Sequence, residues 1–390
     1  TGLPQLKTDD WSQLFALLAE RVKKGRCVIL FDEISWMAEG DDTFLSKLKN
    51  AWELYFSHNP ELMLVLCGSI SSWIEKNILS STSFFGRISQ TISLKEFTLP
   101  DCNRLLDAVG FKRSAYEKFM ALSLTGGVPW YMVLLNPKLN AAENIKQLCF
   151  TPDGTLVKEY RYIFHDLFGK RSAIYERITR ALVGGSLEYQ ALVKAVNYPS
   201  SGTLSSYVEE LIEAGYIYAA YAWSFKTGKE GQVCLYRLTD HYLRFYYKYI
   251  EPKLGQILKG QYQEVDMMSL PAWRSMMGFQ FETLVLNNRL LIQKALRIAP
   301  EAVINDNPYY QRKTARFQGC QIDYLIQTRL HSLFVCEIKY SANPLGMLVV
   351  HEMQDKIKKQ DTKVIRKLRQ LVQIILLKKI STNLLLYLSS

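Results

Sequence analysis

The chain has 390 residues, of which 48% are hydrophobic and 22% are charged. This is the composition of an ordinary globular protein, so a wholly disordered or collagen-like chain is excluded, and the length predicts two or three domains. Lys and Arg number 48 against 37 Asp and Glu, which gives a net charge of +11. The positive excess favours an anionic partner such as nucleic acid or phosphate.

The cysteines predict a cytoplasmic protein. All seven are scattered along the chain without a Cys-x-x-Cys pair, and several lie inside apolar runs such as residues 64–67. Reduced, buried thiols show this pattern, whereas disulfide frameworks and zinc sites do not. The sequence has no secretory signal and no apolar run of the ~18 residues that a membrane span needs. Because the chain opens at Thr1 and runs straight into a helical pattern, we expect an upstream segment to be missing.

Residues 1–98 predict alternating helices and strands. A helix capped by Asp9 and Asp10 precedes the apolar run Val28-Ile29-Leu30-Phe31, and a second helix over 42–56 precedes another apolar run over 62–67. Short strands without polar alternation are typical of parallel sheets that are covered on both faces. Strands that alternate with helices predict a doubly wound α/β domain.

The rest of the chain predicts three further regions. Residues 100–150 are expected to be wholly helical, with a break at 126–129. In residues 169–252, three helices and a two-stranded ribbon (216–223 and 233–238) fit a winged helix-turn-helix. Residues 253–390 contain, from 272 onward, a predicted helix, a hairpin and a basic helical tail, which together indicate an α/β domain.

Two acids, Asp32 and Glu33, directly follow the first predicted strand. An apolar strand that ends in Asp-Glu is the Walker B pattern, which delivers two carboxylates to the carboxyl edge of a sheet, where open α/β folds bind ligands. Asp32 would hold Mg²⁺ directly or through water, and Glu33 would orient or deprotonate the attacking water. The alternative is a buried strand whose terminal acids only cap a helix.

Two more groups are expected near these acids. The second strand ends in Gly68-Ser69, which would place the Ser69 hydroxyl beside the carboxylates, and Arg87 follows Gly86. Arg87 could neutralise phosphate charge in the transition state, either in the same chain or from a neighbouring subunit. Its alternative is a surface ion pair.

These motifs together resemble the archaeal-type ATPases of the AAA+/STAND group. The resemblance rests on four segments that occur in the expected order: residues 28–37, 66–69, 85–88 and 126–129. It implies a P-loop NTPase-like parallel sheet in residues 1–98, a helical lid in 99–168, a winged helix in 169–252 and a restriction-endonuclease-like α/β domain in 253–390. It also implies ATP and Mg²⁺ as cofactors.

The resemblance assigns roles to individual residues. Asp32 and Glu33 match the Walker B acids, Ser69 matches the sensor position, and Arg87 matches the arginine-finger region. Gly127 and Pro129 belong to a turn that is similar to the Gly-x-Pro turn of the family's helical lid, on the nucleotide-binding side.

One family element, the phosphate loop G-x-x-x-x-G-K-[ST], is absent. The only Gly-Lys pairs, at 169–170 and 228–229, are not followed by Ser or Thr. This loop supplies most of the phosphate binding in such enzymes, through backbone amides and a lysine. In the family it lies upstream of the region that matches Thr1. We therefore expect this chain, as it stands, to bind ATP weakly or not at all.

A second candidate site contains Asp323, Glu337 and Lys339, in the pattern D-x13-E-x-K of the PD-(D/E)xK nuclease core. A hairpin centred on Leu330 would place residues 323 and 337 opposite each other, with Cβ atoms about 5 Å apart. The two carboxylates would then share a divalent ion, and Lys339 would orient water or steady the scissile phosphate. Glu282, on the preceding helix, could add a fourth polar group.

The alternative for this second site is an exposed hairpin with a cross-strand ion pair. The predicted loop also lacks the glycine that a three-residue hairpin usually needs, so a different register would separate the two acids.

The predicted recognition helix of the winged helix, residues 202–214, contains no Lys or Arg and carries Glu209, Glu210 and Glu213. Base reading relies mainly on Arg, Lys, Asn and Gln, so a positioning or protein-contact role is favoured over sequence-specific DNA reading. The alternative is phosphate contact through hydroxyls at the helix start and through Lys226 and Lys229 on the wing.

The leading hypothesis is therefore an ATP-binding and ATP-hydrolysing protein of the AAA+ type that is impaired in nucleotide binding. The alternative is a Mg-dependent nuclease or DNA-binding protein whose ATPase domain is vestigial, and a third hypothesis is a non-catalytic interaction module. The expected partners are DNA, another protein, or a second copy that associates through the ATPase domain, with no membrane.

Overall fold

The computed structural model describes residues 10–68, 71–168, 172–199, 202–313, 315, 319–329, 332–341, 351–352, 355 and 372–378. The chain is a mixed α/β protein that divides into two compact units, Thr1–Leu94 and Lys95–Ser390. Its described strands form three small sheets. In the described part of the chain, no helix is both long enough and apolar enough to cross a bilayer.

The described residues of the first unit form two strands and four α-helices. In chain order they are α1 (Trp11–Arg21), β1 (Cys27–Phe31), α2 (Ile34–Met37), α3 (Phe44–Leu54), β2 (Leu62–Leu66) and α4 (Ser71–Ile74), with short helical turns at Phe56–His58 and Glu75–Leu79. The core is aromatic, because the Phe15 ring of α1 lies 5.7 Å from that of Phe31 and 5.9 Å from that of Phe44. These contacts pack α1 and α3 on the same face of the strands.

The strands β1 and β2 pair in parallel, with Phe31 opposite Leu66. Burial alternates along them: Ile29 and Phe31 are buried, whereas Val28 is 70% exposed and Leu30 is 57% exposed. The structure therefore differs from the expected sheet with two covered faces, since the described residues cover one face only. The uninterrupted apolar run could not reveal this, because Val28 and Leu30 are as apolar as their buried neighbours.

The second unit is larger and mostly helical. Its α-helices are α5 (Leu99–Ala108), α6 (Ala115–Thr125), α7 (Pro129–Val133), α8 (Ala141–Cys149), α9 (Thr155–Phe168), α10 (Ser172–Ala181), α11 (Tyr189–Val196), α12 (Gly202–Glu213), α13 (His241–Phe245), α14 (Leu254–Leu258), α15 (Trp273–Asn287) and α16 (Arg289–Ala295). Its strands are β3 (Leu187–Glu188), β4 (Ile217–Trp223), β5 (Glu230–Leu238), β6 (Val303–Gln311), β7 (Cys320–Thr328), β8 (Leu333–Lys339) and β9 (Val372–Lys378). Short helical turns lie at Tyr246–Ile250, Glu251–Lys253, Met267–Ser269 and Pro300–Ala302.

The helices α5–α8 confirm that residues 100–150 are mostly helical, and α9 continues the helical region to Phe168. Their starts follow from local capping: the Ser114 side chain accepts the N–H of Glu117, and Asn140 and Glu143 form a capping box at the start of α8. Leu106, Leu122 and Ile145 are fully buried between these helices.

The next elements follow the predicted order of three helices and an antiparallel ribbon. After α10, α11 and α12, strands β4 and β5 pair in antiparallel register, and the two-residue strand β3 adds to the other edge of β5. The assignment of this region as a winged helix stays a prediction.

The C-terminal sheet has the strand order β6-β7-β8-β9. The first three strands are antiparallel, and β8 pairs with β9 in parallel. The prediction of a helix at residues 372–378 was wrong, because this part of the expected basic tail forms β9. The segment carries Val372, Ile374 and Ile375, whose branched Cβ atoms favour a strand over a helix.

Candidate functional site

The acid pair 32–33 lies where two parallel strands end together. Asp32 follows the last residue of β1, and Cys67 follows the last residue of β2. The N–H of Cys67 donates to the carbonyl of Phe31 at 2.9 Å, and the carbonyl of Cys67 accepts from the N–H of Ile34 at 2.9 Å. These two bonds fix the backbone on both sides of the acids at the carboxyl edge of the sheet.

Asp32 is open to solvent and Glu33 is partly so. The Asp32 side chain is exposed, and its Oδ1 accepts the backbone N–H of Glu33 at 3.1 Å. Glu33 is half-buried and adopts the left-handed conformation (φ 48°, ψ 52°), which is unfavourable for a residue with a Cβ. Ile34, the next residue, is fully buried and anchors this turn to the core. The turn therefore holds both acids outside the apolar core, as a metal-binding role requires.

Cys67 is a neighbour of the acid pair that the sequence analysis did not single out. Partial desolvation, followed by the hydrogen bond and charge of Asp32 and the charge of Glu33, raises the pKa of the Cys67 thiol. The thiol therefore stays protonated beside the carboxylate. The sequence predicts its position, because Cys67 is the last residue of the second apolar run and Asp32 directly follows the first.

Of the other two residues predicted near the acids, the structure describes only Arg87. Ser69 lies outside the described residues. Arg87 forms an ion pair with Glu53 of α3, and its Nη1 donates to the carbonyl of Phe85 at 3.2 Å. This is the surface ion pair that the sequence analysis held as the alternative. A role as an arginine finger stays a prediction and would require Arg87 to leave Glu53.

The glycine turn before α7 has a packing explanation. A Cβ on Gly127 would lie 2.5 Å from the carbonyl oxygen of Phe97 and 2.9 Å from its nitrogen. The N–H of Phe97 donates to the carbonyl of Gly127 at 2.8 Å, so the two backbones run in direct contact. Pro129 is the first residue of α7, a position where its missing N–H costs nothing. The predicted nucleotide contact of Gly127 and Pro129 stays a prediction.

Two carboxyl groups with raised pKa values lie at this turn, and the sequence did not reveal them. Part of the Glu96 side chain is exposed, but its Oε2 accepts the N–H of Gly127 at 3.3 Å. Burial of the carboxylate, and then the charge of Asp240, raise the pKa of Glu96 to about 7. Burial likewise raises the pKa of Asp240 to about 6 and lowers that of His241 to about 3. His241 is therefore neutral at neutral pH.

The second candidate site forms in the predicted register. Tyr324 pairs with Cys336, so the continuing register of β7 and β8 places Asp323 beside Glu337. Oδ2 of Asp323 accepts the backbone N–H of Ile338 at 2.9 Å, across the two strands. The hairpin therefore brings the two acids together, even though its loop lacks the expected glycine.

The lysine of this site pairs with a buried carboxylate. Nζ of Lys339 lies 2.7 Å from Oε1 of Glu337, which is only 2% exposed. Partial burial lowers the pKa of Lys339, but the hydrogen bond and charge of Glu337, followed by the charge of Asp323, outweigh it and raise this pKa. The single charge of Lys339 thus offsets only part of the negative charge of two neighbouring carboxylates, an arrangement that a divalent ion could replace or complete.

The predicted set of carboxylate metal ligands is not assembled in full. Within the residues that the structure describes, no group of three or more His, Cys, Asp or Glu side chains is arranged to hold a metal ion. Glu282, the expected fourth group, instead accepts from Nη1 of Arg237 at 3.1 Å. The sequence could not show this partner, because 45 residues separate the two. Divalent metal binding at Asp323 and Glu337, or at Asp32, would need oxygen ligands from solvent or substrate.

Comparison with known proteins finds distant likenesses, among them the following two. An uncharacterized protein of Methanocaldococcus jannaschii is 22% identical over 278 residues, which are 70% of this chain and 58% of the relative. A solved structure, the Walker-type ATPase of Pyrococcus abyssi, has a TM-score of 0.43 and 18% identity, over 63% of this chain and 71% of that chain. No family model matches. Because this chain spans little more than half of the relative's length, its function has to be argued from its own residues.

Proposed function

We propose that the first unit belongs to an ATP-hydrolysing protein in which Asp32 and Glu33 act on Mg-ATP. The observation that supports this proposal is the position of both acids at the solvent-open carboxyl edge of two parallel strands. Ligands of open α/β sheets bind at this edge. The nucleotide would bind weakly, because the sequence supplies no loop of backbone amides and lysine to hold its phosphates.

The proposed roles follow from the local geometry. Asp32 would hold Mg²⁺ directly or through water, with its carboxylate oriented by the Glu33 N–H. Glu33, held in its left-handed turn beside the buried Ile34, would position or deprotonate the water that attacks the γ-phosphate. Mg²⁺ suits this role because it keeps several waters and needs few protein ligands.

The Asp32→Asn variant tests the metal-binding role. We expect it to raise the Mg²⁺ concentration for half-maximal ATP hydrolysis at least about tenfold, because a neutral amide is a weaker ligand than a carboxylate. The measurement is phosphate release at millimolar ATP over a Mg²⁺ titration, with the exposed Glu39→Gln as the matched control. An unchanged Mg²⁺ requirement, or no hydrolysis by the wild-type chain, would contradict the proposal. A fluorescent-nucleotide titration that gave low-micromolar affinity would contradict the weak-binding part alone.

The cluster of Asp323, Glu337 and Lys339 supports a second candidate function, the metal-dependent cleavage of nucleic acid. Two adjacent carboxylates can share a divalent ion that activates water. Lys339, whose Nζ lies 2.7 Å from Oε1 of Glu337, can steady the scissile phosphate. The net charge of +11 suits a polyanionic substrate such as DNA.

Plasmid nicking in the presence of Mn²⁺ tests this second function. The wild-type chain should convert supercoiled plasmid to the open-circular form, and Asp323→Ala should abolish this because it removes one of the two shared carboxylates. The exposed Asp153→Ala is the matched control in the same unit. Failure to nick with any divalent metal would leave only a binding fold, and equal nicking by Asp323→Ala would contradict the role of this cluster.

For partners, we propose that α12 contacts a protein or positions the neighbouring region rather than reading bases. It contains no Lys or Arg, and the carboxylate of Glu210 is held by the hydroxyl of Tyr175. DNA binding that tightened steeply as the salt concentration fell would instead favour a phosphate-contacting role.

A further inference from the structure

A cavity of about 630 Å³ lies within the second unit. It is bounded by the turn before α11, by β5, by α13 and α15, and by β6 and β7. Its volume is in the range of small-molecule binding sites. None of Asp323, Glu337 and Lys339 lines the cavity, whereas Glu282, the expected fourth group of that site, does.

Two buried arginines line this cavity: Arg237 is 7% exposed and Arg244 is 3% exposed. Nη2 of Arg237 and Nη1 of Arg244 both donate to Oγ1 of Thr283, each at 3.1 Å. The shared acceptor places two guanidinium groups side by side in a poorly solvated environment. Like charges at this separation repel each other unless a counter-charge lies near them.

Within the residues that the structure describes, only one of the two arginines forms a hydrogen bond with a carboxylate. Arg237 donates to Glu282 at 3.1 Å, whereas Arg244 donates to neutral oxygens, those of Thr283, Phe279 and Leu238. Within the described residues, the buried Nε of Arg244 has no hydrogen-bond partner. Burial, and then the charge of Arg237, lower the pKa of Arg244 to about 9. A buried cation in this position is costly without an anion.

The remaining carboxylate of the lining does not supply that anion. Glu188 is held by Arg312, whose Nε donates to Oε1 of Glu188 at 2.9 Å. The charges of Glu282 and Asp240 also act on Arg244, but neither carboxylate is among its hydrogen-bond partners within the described residues. Arg244 thus has donor capacity left for a ligand, at its buried Nε.

We propose that this cavity binds a small phosphate ester, with its phosphate drawn to the Arg237–Arg244 pair. Guanidinium groups match the geometry of phosphate oxygens and are weakly hydrated, so they bind phosphate well at buried sites. The organic part of the ligand would lie against Phe279, whose ring also lies 5.6 Å from the Arg244 guanidinium carbon. The proposal is independent of nucleotide hydrolysis in the first unit.

The test is a calorimetric titration of the full chain with inorganic phosphate and with ribose 5-phosphate. The informative variant is Gln190→Glu, because Gln190 lines the cavity but is exposed, so its substitution spares the core. A negative charge there should weaken binding about tenfold. The matched control is Gln147→Glu, an exposed glutamine on α8 that should bind as the wild type does. Glu33→Gln should also leave this binding unchanged.

The two probes distinguish the source of the phosphate. Tighter binding of ribose 5-phosphate than of inorganic phosphate identifies a ligand whose organic part enters the cavity, and equal binding identifies free phosphate. The proposal is overturned if neither probe binds saturably in the millimolar range. It is also overturned if Gln190→Glu binds as tightly as Gln147→Glu.

Discussion

The backbone conformation and packing of single residues limit which side chains this chain can carry at those positions. Gly127 is the sharpest example, because the backbone of Phe97 occupies the space where its Cβ would be. Glu33 shows the opposite case, since a residue with a Cβ is held in a left-handed turn that glycine would adopt at lower cost. Strain of that kind is concentrated at functional sites. It is consistent with the role proposed for Glu33.

The Gly127→Ala substitution tests the packing explanation at this scale. We expect it to lower the free energy of unfolding by about 2 kcal/mol or more, because the new Cβ would overlap a backbone carbonyl that cannot easily move. Urea denaturation of the full chain provides the measurement. Gly184→Ala is the control, since nothing lies within 4 Å of the Cβ it would gain. Equal stability of the two variants would show that Gly127 is not held in this contact.

Among the elements, β1 and β2 matter most because they position the acid pair. Their covered face carries Ile29 and Phe31. Their other face exposes Val28, Leu30 and Met63, and the Met63 side chain is 61% exposed. The strands therefore depend on α1 and α3 for their stability, and the acids at their ends depend on the strands for their position.

A pair of alanine substitutions on adjacent residues of β1 tests this one-sided burial. Ile29→Ala should lower the free energy of unfolding by about 2–4 kcal/mol, because it leaves a cavity in the core. Leu30→Ala should lower it by less than about 1 kcal/mol, because the Leu30 side chain is 57% exposed. Hydrogen–deuterium exchange of peptides from residues 10–68 reports the stability of this unit separately. Similar losses at both positions would mean that both faces of β1 are covered.

Patterns within a few residues made much of these elements predictable. The apolar runs before Asp32 and Cys67 predicted parallel strands, and the spacing around Leu330 predicted the register that brings Asp323 to Glu337. Pairings over long distances in the chain were not predictable: Arg87 with Glu53, and Arg237 with Glu282. Such partners depend on how elements pack, and neither local spacing nor composition encodes that packing.

In the molecule as a whole, two candidate chemistries lie in different units. The three domains expected between residues 99 and 390 lie within one compact unit. Buried side chains tie these parts together: Nε2 of Gln280 donates to the carbonyls of Ser123 and His241, and Oδ1 of Asn288 accepts the N–H of Leu99. Substitutions of the acid pair in the first unit should therefore leave the second unit folded. ATP hydrolysis and nucleic-acid cleavage can then be tested independently.

The Glu33→Gln variant gives the most direct test of the role assigned to the acid pair. At a fixed millimolar concentration of Mg-ATP, we expect its rate of hydrolysis to fall at least about 100-fold, because general-base catalysis typically contributes a factor of this size. Nucleotide affinity and plasmid nicking should stay at wild-type levels. A Glu33→Gln chain that hydrolysed ATP as fast as the wild type would contradict the account.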